Sequence, residues 1–190
     1  MGRILFSAYS SSVGAELWTS DGTPGGTVML AAATSTYSEI YPDGNLVYFD
    51  ANLGGTGDEL CVSDGTGSGT QTLKDIISGA TGSAPHNFLK YGTQIIFTAT
   101  GANGIELFMS DGTGGGTAEL KDINAYGDSK PYGFTVFNSN VLFFANDSTH
   151  GIEPWITDGT PGGTQMLVDL ASGPGSSAST VTLSGPRFYP

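Results

Sequence analysis

Cationic side chains are scarce: six Lys and Arg stand against eighteen Asp and Glu, a formal charge of −12 over 190 residues. Such a surface repels phosphate backbones and anionic lipid headgroups, which argues against nucleic acid as a partner. Soft metal ligands are scarcer still. Cys61 is the single cysteine, so no internal disulfide forms and a Cys-based zinc site is excluded, while His86 and His150 alone do not build one. No apolar run approaches the ~20 residues of a membrane-spanning helix. The opening Met1-Gly2-Arg3-Ile4-Leu5-Phe6-Ser7 lacks the apolar stretch of a signal peptide. We therefore expect no membrane insertion, and a soluble chain from which any leader has been removed. Helical periodicity is missing too: no segment sustains a 3.6-residue apolar period with caps, so little or no helix is expected.

Turn residues and a repeat fill the space. Thirty glycines and nine prolines fall between apolar runs instead of forming tracts, and 38% of the residues are hydrophobic, which describes a folded chain with many turns. One phrase recurs four times, as Glu16-Leu17-Trp18-Thr19-Ser20-Asp21-Gly22-Thr23, then from Glu59 to Thr66, from Glu106 to Thr113 and from Glu153 to Thr160. The copies start 43, 47 and 47 residues apart, a spacing typical of repeated supersecondary units. We read one domain over 1–190, with repeats at approximately 1–33, 34–77, 78–123 and 124–170 and a closing strand within 171–190.

Each unit contains four short runs rich in aromatic and β-branched residues, bounded by Gly, Pro, Asn or Asp, which is the composition of strands. The run before the phrase ends near Phe-x-Ala, as in Ile95-Ile96-Phe97-Thr98-Ala99, and the run after it follows Gly-Thr, as in Gly116-Thr117-Ala118-Glu119-Leu120-Lys121-Asp122-Ile123. Weaker runs lie between units, at Tyr37 to Tyr41, His86 to Lys90, Tyr132 to Phe137 and Ser179 to Leu183. Within the phrase, adjacent Leu17 and Trp18, Leu60 and Cys61, and Leu107 and Phe108 are all apolar. Adjacent strand residues point to opposite faces, so both faces are buried. The expected fold is all-β: a four-bladed β-propeller of four-stranded antiparallel blades. The chain opens on the second strand of a blade, so Ser179 to Leu183 would be a spare first strand that pairs beside Arg3 to Ala8 and closes the ring. Gly185-Pro186-Arg187-Phe188-Tyr189-Pro190 resembles the start of a further second strand, which keeps open a ring completed by more than one chain.

The phrase resembles the ELWxxDGT repeat of large bacterial secreted and surface proteins, and the likeness covers nearly the whole chain, including the trailing Gly-Thr and, in two copies, Lys-Asp-Ile. Departures are Cys61 and Phe108 in place of Trp, Pro154 in place of Leu, and Ala31-Ala32-Ala33 where Lys-Asp-Ile would fall. The resemblance implies an extracellular or cell-surface location and a shared scaffold. It implies no shared catalytic residues.

The recurring Asp21, Asp64, Asp111 and Asp158 are read as structural turn residues: a carboxylate opening a turn accepts backbone N–H groups, and the following Gly takes φ > 0. The loop is similar to the Asp-box hairpin of sialidase-type propellers. Catalysis finds little material. Sialidase-like chemistry needs an arginine cluster, and only Arg3 and Arg187 are present. A nucleophilic triad must recruit His86 near Ser83 or His150 near Ser148. Paired carboxylates for glycosidase chemistry stay open among eighteen acids. Loop aromatics with polar neighbours give ligand-binding candidates in Tyr9, Tyr126, Tyr132, Asn146, Asp147 and His150.

The expected function is a noncatalytic extracellular binding or adhesion module with carbohydrate or another cell-surface ligand as partner. The alternatives are a purely structural repeat scaffold of a larger surface protein and a glycoside hydrolase-like enzyme. Either a monomer or a ring-completing homo-oligomer is expected. One cofactor idea arises from register. If Asp64 faces Thr70 across its loop, Glu59 falls opposite Asp75, Glu106 opposite Asp122 and Glu153 opposite Asp169. Like charges so placed repel, and either buried backbone donors or calcium would compensate.

Overall fold

A computed structural model describes residues 3–12, 14–33, 39–170 and 172–175. Fifteen strands and no helix occupy them. They form four antiparallel meanders in chain order. The first sheet comprises β1 (Ile4–Ser10), β2 (Gly14–Ser20) and β3 (Val28–Ala33). The second comprises β4 (Ile40–Asp43), β5 (Leu46–Ala51), β6 (Glu59–Ser63) and β7 (Gln71–Lys74). The third comprises β8 (His86–Tyr91), β9 (Gln94–Gly101), β10 (Gly104–Ser110) and β11 (Ala118–Lys121), and the fourth β12 (Tyr132–Phe137), β13 (Asn140–Asn146), β14 (Ile152–Thr157) and β15 (Gln165–Met166). The first sheet holds three strands and the others four. The spare strand expected at Ser179 to Leu183, and the echo at 185–190, lie outside the described residues, as does Tyr37.

The sheets pack face to face in sequence. Leu17 and Ala33 of the first meet Phe49, Ala51 and Cys61 of the second. Tyr48, Leu60 and Val62 of the second meet Phe88, Ile95, Phe97 and Phe108 of the third. Leu107, Met109, Leu120 and Ile123 of the third meet Val141, Phe143, Ala145 and Trp155 of the fourth. Adjacent Leu60 and Cys61 thus enter different cores, as do Leu107 and Phe108, because alternate strand positions face opposite ways. Among the described residues no core cluster joins the fourth sheet to the first. The architecture is all-β and propeller-like; a closed ring is not seen.

Register corrects one expectation. Asp64 does not face Thr70. The Ser63 and Thr70 hydroxyls meet instead, at 2.7 Å, and Cys61 pairs with Thr72. A β-bulge between Leu60 and Cys61 then shifts the pairing by one, setting Leu60 against Lys74. The same shift lies between Leu107 and Phe108 and between Leu17 and Trp18. The extra residue restores the alignment that carries Glu59 toward Asp75 and Glu106 toward Asp122. A second recurring irregularity interrupts β8 and β12, where Asn87 and Gly133 take φ of 59° and 72°.

Candidate functional site

At one end of the sheets each Asp-Gly-Thr loop builds the same cage. Asp111 Oδ1 accepts the Thr113 backbone N–H at 2.9 Å and its hydroxyl at 2.7 Å. Thr113 Oγ1 accepts Gly116 N–H, and its carbonyl accepts the Thr117 hydroxyl. Asp21, Asp64 and Asp158 repeat the pattern. Gly112 takes φ of 87°, which suits glycine. Gly116 serves differently: a Cβ there would stand 2.0 Å from Asp111 Oδ1, so the glycine clears space for the carboxylate. The Thr hydroxyls, followed by the Thr N–H groups, hold all four carboxyls below the usual aspartate range. Donors from the loop itself satisfy these acids.

At the other end, the repeated glutamates are buried. Glu59, Glu106 and Glu153 are fully enclosed and Glu16 nearly so. Glu106 Oε2 accepts Ile123 N–H at 2.9 Å and the Ser129 hydroxyl at 2.5 Å, and Oε1 accepts Ser129 N–H at 3.0 Å. Glu59 takes Ile76 N–H, Ile77 N–H and the Ser83 hydroxyl in the same way, and Glu153 takes Leu170 N–H. Glu16 differs, accepting the Ser10 hydroxyl and the Trp18 indole N–H. Ser83 and Ser129 lie on the crossings to the next sheet, and their carbonyls accept Thr100 N–H and Asn146 N–H from it. The glutamate is therefore a latch between consecutive sheets. Burial pushes the Glu106 carboxyl above the ordinary glutamate range, against the pull of its donors. Asp75, Asp122 and Asp169 are exposed. Among the described residues no three acidic, His or Cys groups converge as metal ligands; backbone N–H groups and serine hydroxyls occupy the oxygens of Glu59 and Glu106.

The aromatic and polar candidates share this second end without forming one site. Tyr126 is 90% exposed on the crossing between the third and fourth sheets, and Tyr9 is 75% exposed at the end of β1. Tyr132 stacks on Phe144, with ring centroids 5.5 Å apart, which occupies one of its faces. Asn146, Asp147 and His150 form the turn between β13 and β14. There Asp147 Oδ1 accepts Thr149 and His150 N–H, and its Oδ2 contacts His150 Nδ1 at 2.7 Å. Burial opposes ionisation of Asp147, but the His150 and Thr149 donors outweigh it and lower its pKa. The same carboxylate raises the imidazole's.

Open grooves lie at the opposite end, where residue types alone did not point. One of about 530 Å³ runs between the third and fourth sheets past Lys90, Tyr91, Gln94, Val136 and Asn138. Another of similar volume runs between the first and second past Arg3, Leu5, Pro42, Asn45 and Asp64. Neither groove lining pairs a nucleophile with a base. Lys90 is ion-paired with Asp43. Cys61 is buried, which lifts its thiol to about 12 and keeps it protonated. His86 Nδ1 contacts the Ala84 carbonyl at 2.8 Å.

No protein-family model and no curated protein matches the chain. Solved structures of hydrolases do share the fold. The Pyrococcus horikoshii acylaminoacyl peptidase matches with a TM-score of 0.56 and 16% identity, covering 88% of this chain and 26% of its own. A puromycin hydrolase matches at 0.58 and 16%, covering 86% and 26%, and a prolyl endopeptidase at 0.54 and 9%, covering 87% and 26%. The chain spans about a quarter of the length of these enzymes and resembles their propeller domains. At such identity the likeness shows the fold alone. It nevertheless corrects the functional expectation: these three matched structures are two peptidases and a puromycin hydrolase. The reading as a carbohydrate-binding adhesion module, with its alternatives of surface scaffold and glycoside hydrolase, is set aside.

Proposed function

We propose that this chain is a propeller segment that serves a peptidase-type hydrolase, walling the approach to a catalytic centre carried elsewhere and performing no chemistry itself. The carrying observation is the fold shared with acylaminoacyl peptidase, puromycin hydrolase and prolyl endopeptidase over about a quarter of their length. The enclosed, protonated Cys61 thiol supports it, because it offers no activated nucleophile. The likeness to secreted and surface repeats supports placing the segment outside the cell. As part of the same proposal, the strand-like run Ser179 to Leu183 supplies the first strand missing beside a β1 edge, so that deleting residues 176–190 promotes aggregation.

The test compares two samples on N-acylaminoacyl and prolyl p-nitroanilides. The isolated chain should release no p-nitroaniline, whereas material immunopurified from the native host through the third and fourth sheets should hydrolyse one of these peptides. Turnover by the isolated chain, or silence of the native material, would sink the proposal.

A further inference from the structure

The three internal seams use equivalent positions, and the two terminal sheets carry the same positions with no core cluster against them among the described residues. Toward the fourth sheet, the third presents Tyr91, Leu107, Met109, Leu120 and Ile123. One repeat later these are Phe137, Pro154, Ile156, Leu167 and Leu170. Of them Phe137 is 48%, Leu167 53% and Leu170 58% exposed. Toward the third sheet, the fourth presents Val141, Phe143, Ala145 and Trp155. The corresponding residues of the first sheet are Ile4, Phe6, Ala8 and Trp18, and Ile4 is 62% exposed. Soluble monomers seldom expose contiguous apolar faces of this kind. The fourth sheet thus offers a donor face and the first its acceptor, matched by the rule that holds the internal seams, yet no core cluster among the described residues joins them.

We propose that a second copy of this chain covers both faces: the fourth sheet of each copy packs on the first sheet of the other, giving a two-chain ring of eight sheets. Continuity with the three internal seams identifies the occupant. A head-to-tail contact that closes after two copies has two-fold symmetry and leaves neither face exposed. This inference does not depend on the hydrolase reading. Each copy carries −12, so association should strengthen as salt screens the repulsion.

Sedimentation velocity on the full chain tests it. The expected mass is twice 19.5 kDa; a monomer at ~100 μM overturns the proposal, and so does an open polymer. Ile4→Lys and Leu167→Glu, both at exposed positions, should each give a monomer with an unchanged circular dichroism spectrum. Mixing the two variants should restore a dimer, because one seam is then intact and the other pairs Lys with Glu. Failure of the mixture to dimerise would show that the contact is not fourth sheet on first.

Discussion

The glycine directly before the last threonine of each loop's polar cage is there for volume, not for backbone freedom. Gly116 has no positive φ, yet any Cβ would overlap the Asp111 carboxylate. We expect Gly116→Ala to turn Asp111 off Thr113, lose about 1 kcal/mol and lower the melting temperature by roughly 2–4 °C. Asp111→Ala should also lower it, and the double variant should fall short of the sum, since both changes break one set of bonds. A fully additive pair in thermal melts would contradict the cage. The depressed Asp111 pKa fixes the pH sense. Its contribution is complete above the ordinary aspartate value of 3.8 and is lost as pH falls through the lower folded-state value. The melting gap between the parent and Asp111→Ala should therefore close below pH 3.8. The role of Asp-Gly-Thr can be read from spelling, because Asp and Gly have distinct turn chemistry. The spatial demand on Gly116 cannot, since it depends on where a neighbouring side chain ends up.

The strands themselves were legible because short β-branched and aromatic runs between turn residues admit few other conformations. The bulge between Leu60 and Cys61 was not: nothing in Glu-Leu-Cys-Val marks an extra residue, and a straight ladder from the loop misplaces Ser63 by one. The glutamate latch was half legible. Recurrence of an acid beside Leu signalled a need for compensation, but identifying Ile123 N–H and Ser129 as the donors requires the crossing to fold back. Glu106→Ala strands the buried Ile123 N–H, while Ser129 N–H keeps the Ile105 carbonyl, and should cost about 1–3 kcal/mol, read from chemical denaturation. A loss below ~0.5 kcal/mol, the usual surface value, would remove the latch. Ser129→Ala should be milder, because Ile123 and Ser129 backbone donors still hold the carboxylate.

The candidate binding residues were the least legible part. Side-chain type singled out Tyr9, Tyr126 and His150, whereas groove formation depends on how sheets splay, and two grooves opened at the other end, beside Lys90 and Asn45. At the scale of the molecule the governing fact is that each core cluster among the described residues lies between neighbouring sheets. Stability is then a chain of local seams, and Cys61 reports on the first of them. Its enclosed, protonated thiol should react with a disulfide reagent only through opening. Leu17→Ala, in the same cluster, should speed that reaction well beyond any effect of Trp155→Ala, which loosens the seam between the third and fourth sheets. Equal acceleration by both would mean that the sheets open together.

Because each seam is built from equivalent positions, a unit duplicated or lost between two others leaves both flanking faces matched. The number of sheets is thereby a matter of copy count in the coding sequence, and no single side chain sets it. Such an array can lengthen or shorten over descent by whole units without passing through a misfolded ancestor.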